Sequence, residues 1–198
     1  MLPPAITRII IQHNTSNRVK AIETKLKGCF ILEPTKFGDS RGYFFESFNS
    51  ERFSELTGTS TVFVQDNQSY STRGVLRGLH AQSGDDAQAK LVRVLEGEVL
   101  DVAVDVRAGS PTYGEHVAIK LSAENNLQLF IPRGFLHGFV VLSETATFFY
   151  KCDNFYQKAA ECGIHPLDPS LGIDWGMDVS DLLLSEKDQQ APLFHELF

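Results

Sequence analysis

Two short motifs place cationic and titratable side chains within segments typical of β-strands. The first motif is Arg77-Gly78-Leu79-His80, the second is Pro132-Arg133-Gly134-Phe135-Leu136-His137, and Lys90 lies between them. A pocket that joined these side chains would combine imidazole groups with fixed positive charge. Such a pocket suits a reaction in which a carbon loses a proton while negative charge develops on a neighbouring oxygen. The pattern therefore predicts an enolisation site.

The placement of His80 depends on the strand that carries it. A histidine on a strand more often has a structural role than a catalytic one, and strict alternation would put Arg77 and His80 on opposite faces. Gly78 between them permits a bulge that turns both side chains inward. We therefore expect an irregularity at Gly78 if both residues serve one pocket.

Three further side chains allow two interpretations each. Lys90 begins an otherwise apolar segment, which is unusual for a solvated lysine but acceptable at a strand end. Asp101 shares its predicted face with Ala103 and Asp105, so it either lies on an exposed sheet or points inward and orients an imidazole. Tyr150 lies in an aromatic segment that is typical of a core, although a phenol with a pKa of roughly 10 can protonate an enolate carbon.

Strand signals dominate the chain, because short segments rich in β-branched and aromatic residues alternate with turn residues. The predicted strands are residues 29–33, 42–48, 61–65, 91–95, 99–106, 117–121, 127–131, 139–142 and 147–151. Residues 95–99 predict a tight hairpin. A short helix is predicted from an Asn49 cap to Gly58, and a second near residues 180–184. The pattern predicts an all-β fold, an antiparallel sandwich or barrel with a few short peripheral helices.

Composition limits the classes of protein to which this chain can belong. The 198 residues carry a formal net charge of −7, which argues against a nucleic-acid surface. No apolar run approaches the ~20 residues that span a bilayer, so no membrane partner is expected. Three cysteines without CxxC spacing favour a reducing, cytoplasmic location. We expect residues 1–27 to form an N-terminal extension or an edge strand, exchanged with a neighbouring subunit, and residues 28–198 to form a single domain.

The P-x-G-x-x-H motif that ends at His137 resembles the second signature of cupin barrels, whose histidine often binds a metal. The first cupin metal signature requires H-x-H followed by a glutamate. Here Ala81 and Gln82 follow His80, and Lys90 lies where an acidic ligand is needed; an ammonium group cannot bind a cation. We predict a cupin, or jelly-roll, barrel that uses its pocket for acid–base chemistry, with metal binding as the alternative.

Beyond these motifs, the chain from about Phe30 to Leu193 resembles the dTDP-4-dehydrorhamnose 3,5-epimerase family. The resemblance rests on many short motifs in one order, among them FGDSRG at 37–42, FVQDN at 63–67, VLRGLH at 75–80, QAKLVR at 88–93, IPRGF at 131–135 and SEKD at 185–188. It implies a cofactor-independent isomerase of dTDP-rhamnose biosynthesis, a dTDP-sugar substrate and a homodimer with exchanged strands.

The resemblance also implies a role for individual residues. His80 would be the general base, paired with Asp188, and Tyr150 the general acid on the opposite face of the sugar. Lys90 and His137 would hold the C4 oxygen as it becomes an enolate, and Phe37 would contact the thymine. The remaining positions that match the family's nucleotide-sugar site are Arg41, Glu46, Gln65, Asp66, Asn67, Arg77, Glu161 and Lys187.

The implied reaction is epimerisation of dTDP-4-dehydro-6-deoxy-D-glucose at C3 and C5 to dTDP-4-dehydro-L-rhamnose. The chain departs from the family pattern at Ala81, Asp153 and Gly176, and the first two flank the predicted pocket, which leaves the number of inverted centres open. The alternatives are a mono-epimerase acting at C3 or C5 on the same or a related nucleotide keto-sugar, a metal-dependent cupin oxygenase, and a non-catalytic sugar-binding cupin.

Overall fold

The computed structural model describes residues 6–9 and 19–198. Within these residues the chain forms fourteen strands and a few short helices. The strands are β1 (Ile6–Ile9), β2 (Val19–Thr24), β3 (Phe30–Pro34), β4 (Phe37–Asp39), β5 (Gly42–Phe44), β6 (Gln65–Thr72), β7 (Leu76–Gln82), β8 (Lys90–Glu96), β9 (Glu98–Asp105), β10 (His116–Ser122), β11 (Gln128–Ile131), β12 (Phe135–Val141), β13 (Thr145–Cys152) and β14 (Glu161–Gly163). The helices are α1 (Ser50–Thr57), α2 (Glu186–Gln189) and α3 (Phe194–Leu197), with 3-10 turns at Gly84–Asp86, Lys158–Ala160 and Val179–Asp181.

The strands form two large antiparallel sheets and one hairpin. The larger sheet has the order β1-β2-β3-β11-β8-β13-β6, the smaller has the order β10-β9-β12-β7-β14, and β4 pairs with β5. The apolar side chains between the sheets come from both, for example Val92 and Phe148 from one and Val99 and Phe139 from the other. The prediction of an all-β antiparallel fold with short helices is confirmed.

Both sheets are also covered on their outer faces. Val102 and Leu136 of the smaller sheet pack against Trp175 in the C-terminal part of the chain, whereas Phe130 of the larger sheet packs against Phe53 of α1. This double coverage explains why every residue of β12 is buried, because a strand covered on both faces cannot keep a polar face in water.

The hairpin predicted at residues 95–99 is wrong. β8 and β9 do flank a tight turn at Gly97, but β8 pairs with β11 and β13 whereas β9 pairs with β10 and β12. The turn therefore passes the chain from one sheet to the other. A Cβ atom at Gly97, whose φ is +79°, would lie 2.0 Å from the carbonyl oxygen of Thr145, so the close approach of a third segment requires glycine here.

Three predicted strands have bounds that differ by several residues in the structure. The strand predicted at residues 139–142 begins at Phe135 and ends at Val141 as β12. The strand predicted at residues 61–65 begins only at Gln65 and continues to Thr72 as β6. The strand predicted at residues 42–48 ends at Phe44. β6 has a polar sequence because its position at the sheet edge leaves alternate side chains exposed, so hydrophobic patterning could not indicate it.

The first predicted helix is confirmed and the second is wrong. The side chain of Asn49 accepts a hydrogen bond from the Arg52 amide, and Gly58 ends α1 with a φ of +69°. Near residues 180–184 the chain makes one 3-10 turn and then runs extended. The Leu183 amide donates to the Gly74 carbonyl, and the Leu183 carbonyl accepts from Leu76, so its backbone groups are used by the neighbouring segment rather than by a helix.

The N-terminal part of the chain contributes edge strands. β2 pairs with β3, and β1 pairs with β2 at the end of the larger sheet. Of the predicted extension, residues 1–5 and 10–18 lie outside the described residues, and the boundary near residue 27 stays a prediction. In the part of the chain that the structure describes, no helix has the length and apolar character needed to cross a membrane.

Candidate active site

A cavity of about 470 Å³ opens at one end of the two sheets. Its walls come from β6, β7, β8, β12 and β13 together with the C-terminal segment around residues 183–188. The cavity brings together eight of the residues predicted for the site, which are Asn67, Arg77, His80, Lys90, His137, Tyr150, Glu161 and Asp188. These eight residues come from positions spread over more than half of the chain, and their chemical roles stay predictions.

The bulge expected at Gly78 is present. Along β12, His137 and Phe139 are two residues apart, but their partners on β7, His80 and Arg77, are three apart. The extra residue lets both Arg77 and His80 line the cavity. Gly78 has a φ of +127°, and a Cβ atom there would lie 2.6 Å from the Gly138 Cα atom, so this crossing of β7 and β12 requires glycine.

His80, which is half-buried, pairs with the buried Asp188. The Nε2 atom of His80 lies 2.5 Å from Oδ1 of Asp188, and the Asp188 side chain is almost fully buried. Burial lowers the pKa of His80, and the negative charge of Asp188 opposes this effect. The imidazole is therefore neutral near pH 7, oriented by its partner and able to accept a proton.

The C-terminal segment that carries Asp188 is fixed at two points. Leu183 forms a parallel bridge with Val75, and the Ser185 side chain caps α2 by accepting a hydrogen bond from the Asp188 amide. These contacts place the carboxylate at the cavity although it lies 108 residues from His80 in the sequence.

A second imidazole–carboxylate pair decides between the two interpretations of Asp101. The Nε2 atom of His137 lies 2.8 Å from Oδ1 of Asp101, which is fully buried. Asp101 therefore points inward and orients an imidazole. Burial raises the pKa of Asp101, and its interaction and hydrogen bond with His137, together with the charge of Lys90, oppose the increase. Because Nε2 of His137 is engaged, its Nδ1 atom is the nitrogen left for a ligand in the cavity.

Lys90 and Tyr150 are both half-buried residues of the cavity wall. Burial lowers the pKa of Lys90, and burial together with the charge of Cys152 raises the pKa of Tyr150. At neutral pH the phenol therefore keeps its proton and can act as an acid. Arg77 is held by a hydrogen bond of 3.1 Å from its Nε atom to the Ser71 hydroxyl.

The rim of the cavity contains a second polar network. The Lys187 ammonium lies 2.6 Å from Oε1 of Glu161, and the Tyr156 hydroxyl donates to Oε2 of Glu161 at 3.2 Å. Burial alone would raise the pKa of Glu161, but hydrogen bonds from Lys187 and Tyr156 and the charge of Lys187 lower it. Gln65 contacts the Asn67 side chain and accepts a hydrogen bond from the Tyr156 amide, so Gln65 and Lys187 adjoin the cavity without lining it.

Four predicted substrate-binding residues lie away from the cavity of their own chain. Phe37 and Arg41 lie on the exposed β4–β5 hairpin, with 88% of the Arg41 side chain accessible and its guanidinium paired with Asp39. Glu46 pairs with Arg52 of α1. Asp66 points to the opposite face of β6 from Asn67 and pairs with Lys151 at 2.9 Å. Their substrate-binding roles stay predictions.

Several lining residues were not predicted from the sequence. They are Gln82, Gln88, Phe148, Tyr156 and Ser185. The signal for Gln82 was its position two residues after His80 on the same strand, and the signal for Tyr156 was an aromatic pair in an otherwise polar loop. In residues 19–198, no group of three His, Cys, Asp or Glu side chains has the arrangement of a metal site.

The sheets and the cavity define a class of protein: an antiparallel jelly roll of the cupin type with a polar cavity between its sheets. The family model described as dTDP-4-dehydrorhamnose 3,5-epimerase matches residues 23–196. This match covers most of the chain, and the chain belongs to that family.

Individual relatives agree with the family match. The chain is 53% identical over 175 residues to a dTDP-4-dehydrorhamnose 3,5-epimerase of Salmonella typhimurium, covering 88% of this chain and 95% of the relative. The crystal structure of the Elizabethkingia anophelis enzyme of that name superposes with a TM-score of 0.89 at 57% identity, covering 91% of this chain and 99% of that one. A Legionella pneumophila dTDP-6-deoxy-D-glucose-3,5-epimerase in complex with dTDP-4-keto-L-rhamnose has a TM-score of 0.87 at 50% identity, covering 91% and 95%.

Proposed function

We propose that this protein converts dTDP-4-dehydro-6-deoxy-D-glucose to dTDP-4-dehydro-L-rhamnose by inverting C3 and C5. The observation that carries the proposal is the meeting, in one cavity, of a neutral imidazole backed by a carboxylate with a protonated phenol. An epimerisation needs one group to remove a proton and another to return a proton from the opposite face. His80 and Tyr150 supply these two groups.

The mechanism follows from the acidity of the substrate. The hydrogens on C3 and C5 lie beside the C4 ketone, so loss of either places negative charge on O4. His80 accepts the proton and Asp188 stabilises the imidazolium that forms. Tyr150 then donates its proton to the carbon from the other side, which inverts the centre. Both steps are proton transfers, so the reaction requires neither a redox cofactor nor a metal.

The developing charge on O4 is stabilised by groups whose positions are fixed before the reaction. Lys90 and His137 face the cavity, and His137 is oriented by the buried Asp101. Removing one preorganised donor of this kind typically costs about 10²–10³ in rate. Asn67, Arg77, Glu161 and Lys187 surround the same opening and would bind the nucleotide part of the substrate.

NMR of the substrate incubated with the protein in D₂O tests the proposal. Deuterium at both C3 and C5, with appearance of the L-lyxo product, is expected. The matched variant His80→Asn should retain the fold and lose exchange at both carbons. Label at one carbon only would make the protein a mono-epimerase. No label, or an active His80→Asn variant, would contradict the assignment, and iron or zinc found by elemental analysis would then favour the oxygenase alternative.

We further propose that the working unit is a cytoplasmic homodimer in which strands are exchanged. Phe37, Arg41 and Glu46 are absent from the cavity of their own chain, and the first two project from an exposed hairpin. A second copy that received this hairpin would gain the residues its nucleotide site lacks. The three cysteines are free thiols, which supports a reducing compartment.

A further inference from the structure

Asp153 lies outside the cavity, yet its carboxylate connects the segments that carry Lys90 and His137. Its Oδ1 atom accepts a hydrogen bond of 2.6 Å from the Ala89 amide. Its Oδ2 atom accepts a hydrogen bond of 2.8 Å from Nε of Arg133. The Asp153 amide donates in turn to the Ala89 carbonyl at 3.2 Å. One side chain therefore joins the residue before Lys90 to the loop that leads to His137.

The hydrogen bond between Asp153 and Ala89 lies next to Lys90 at the start of β8, so it can influence the position of the lysine. Lys90 is the first residue of β8, and its partners Ile131 and Cys152 are the last residues of β11 and β13. Beyond this point the regular ladder stops, so β8 has no further strand pairing to fix the direction of the lysine. The hydrogen bonds of the Asp153 carboxylate fix the backbone at this end of β8, β11 and β13.

Lys90 depends on its backbone for its position. No carboxylate lies within ion-pair distance of its ammonium group among residues 19–198. The lysine stem has four rotatable bonds, so a shift of the Ala89–Lys90 backbone moves the ammonium group. Misplacement of a catalytic group by about 1 Å can cost up to 10²-fold in rate.

We propose that Asp153 is a positioning residue that holds the Lys90 ammonium group where the enolate oxygen develops. The inference rests on the proposed function for its chemistry. The bond to the Ala89 amide carries the effect, because only 11% of the Asp153 side chain is accessible. Arg133 is 47% accessible, and an ion pair with so exposed a partner contributes little.

A double-mutant cycle tests the inference. Asp153→Ala should lower kcat between about 5- and 50-fold with KM changed less than about twofold. In a Lys90→Met background the same substitution should change kcat by less than about twofold, because the group that it positions is gone. Arg133→Gln, which spares the Ala89 bond, should lower kcat less than about threefold. Glu115→Gln, which breaks the remote pair with Lys25, is the matched control and should have no effect.

Three kinetic results would overturn the inference. They are an unchanged kcat in Asp153→Ala, an effect of Asp153→Ala on KM alone, and an equal decrease in kcat when Asp153→Ala is made in the Lys90→Met background. Asp153→Leu supplies the same cycle if the alanine variant does not fold, because it keeps the approximate size of the side chain but has no acceptor for the Ala89 amide. Hydrogen exchange of the Ala89 amide should accelerate in Asp153→Ala. This measurement needs no substrate, and unchanged exchange would refute the proposed role of the Asp153–Ala89 hydrogen bond. Failure of the proposed function would appear separately, as no deuterium incorporation by the wild-type protein.

Discussion

At the scale of single residues, the site sets two proton carriers to opposite protonation states. Burial lowers the pKa of His80 and raises the pKa of Tyr150. The base is therefore neutral and the acid protonated over a wide range of pH. A base and an acid with pKa values moved apart can both work at neutral pH without a metal to activate either one.

The pH dependence of kcat/KM should show these shifts. Activity requires neutral His80, so it should fall as pH decreases through a pKa that lies below the ordinary value of 6.5. It also requires protonated Tyr150, whose pKa burial raises above 10, and a cationic Lys90, whose pKa burial lowers below 10.5, so the alkaline limb should lie below 10.5. Asp188→Asn removes the charge that raises the pKa of His80, so the acid limb should move to lower pH while kcat falls on the order of 10²-fold. Measured pH–rate profiles of both proteins check this, and an acid limb at or above 6.5 would contradict it.

Gly163 is a further residue on which His80 depends. A Cβ atom at Gly163 would lie 2.9 Å from Cδ2 of His80 and 2.7 Å from the Leu79 carbonyl oxygen. Gly163→Ala should therefore displace the imidazole and lower kcat about 10–100-fold. The affinity for dTDP, measured by calorimetry, should stay within about threefold and serves as the control. An alanine variant with wild-type kcat would show that the ring does not need this space.

The residues of the site could be predicted because they occur in motifs, and those outside motifs could not. His80, Lys90 and His137 lie in short runs whose residue types indicate chemistry. The inward direction of Asp101 remained open from the sequence, because an alternating aspartate on a strand is compatible with either face. Tyr156 was missed because a loop has no periodicity from which to infer direction.

At the scale of secondary-structure elements, apolar strands could be predicted and pairing could not. β9 and β12 consist mostly of apolar residues, whereas the polar edge strand β6 carries no hydrophobic signal. The turn at Gly97 was correctly expected from its residues. Which strands the turn joins is decided by long-range pairing between sheets, which local turn chemistry does not encode.

The crossing of β7 and β12 makes a prediction about stability. Gly78→Ala places a Cβ atom 2.6 Å from Gly138 Cα at a φ of +127°, and backbone strain and overpacking together should cost about 2–5 kcal/mol of unfolding free energy. Gly176→Ala is the matched control, because Gly176 also has a positive φ but nothing lies within 4 Å of the added atom. It should cost about 1–2 kcal/mol. Urea unfolding of both variants measures the difference, and equal costs would argue against the close crossing.

At the scale of the whole molecule, the proposed homodimer predicts complementation between inactive subunits. A His80→Asn subunit lacks the proposed base but keeps Arg41. An Arg41→Ala subunit keeps His80 but lacks the arginine. If the hairpin serves the neighbouring cavity, half of the sites in a mixed dimer are complete, and random mixing should restore about a quarter of wild-type activity.

Each variant alone serves as the control for this experiment and should stay near its own low activity. The mixture is assayed at low substrate concentration, where loss of Arg41 weakens turnover most. A mixture no more active than the sum of its parts would show that each chain supplies its own Arg41.

The distance along the chain between His80 and Asp188 has a consequence for biosynthesis. Both sheets are encoded before residue 165, but part of the cavity wall and the carboxylate paired with His80 come from residues 183–188, and Asp188 follows the histidine by 108 residues. A nascent polypeptide on the ribosome can thus pair its strands and still lack the partner of its proposed base. We expect full turnover only after the segment around residue 188 has been translated and docked, when synthesis of the chain is nearly finished.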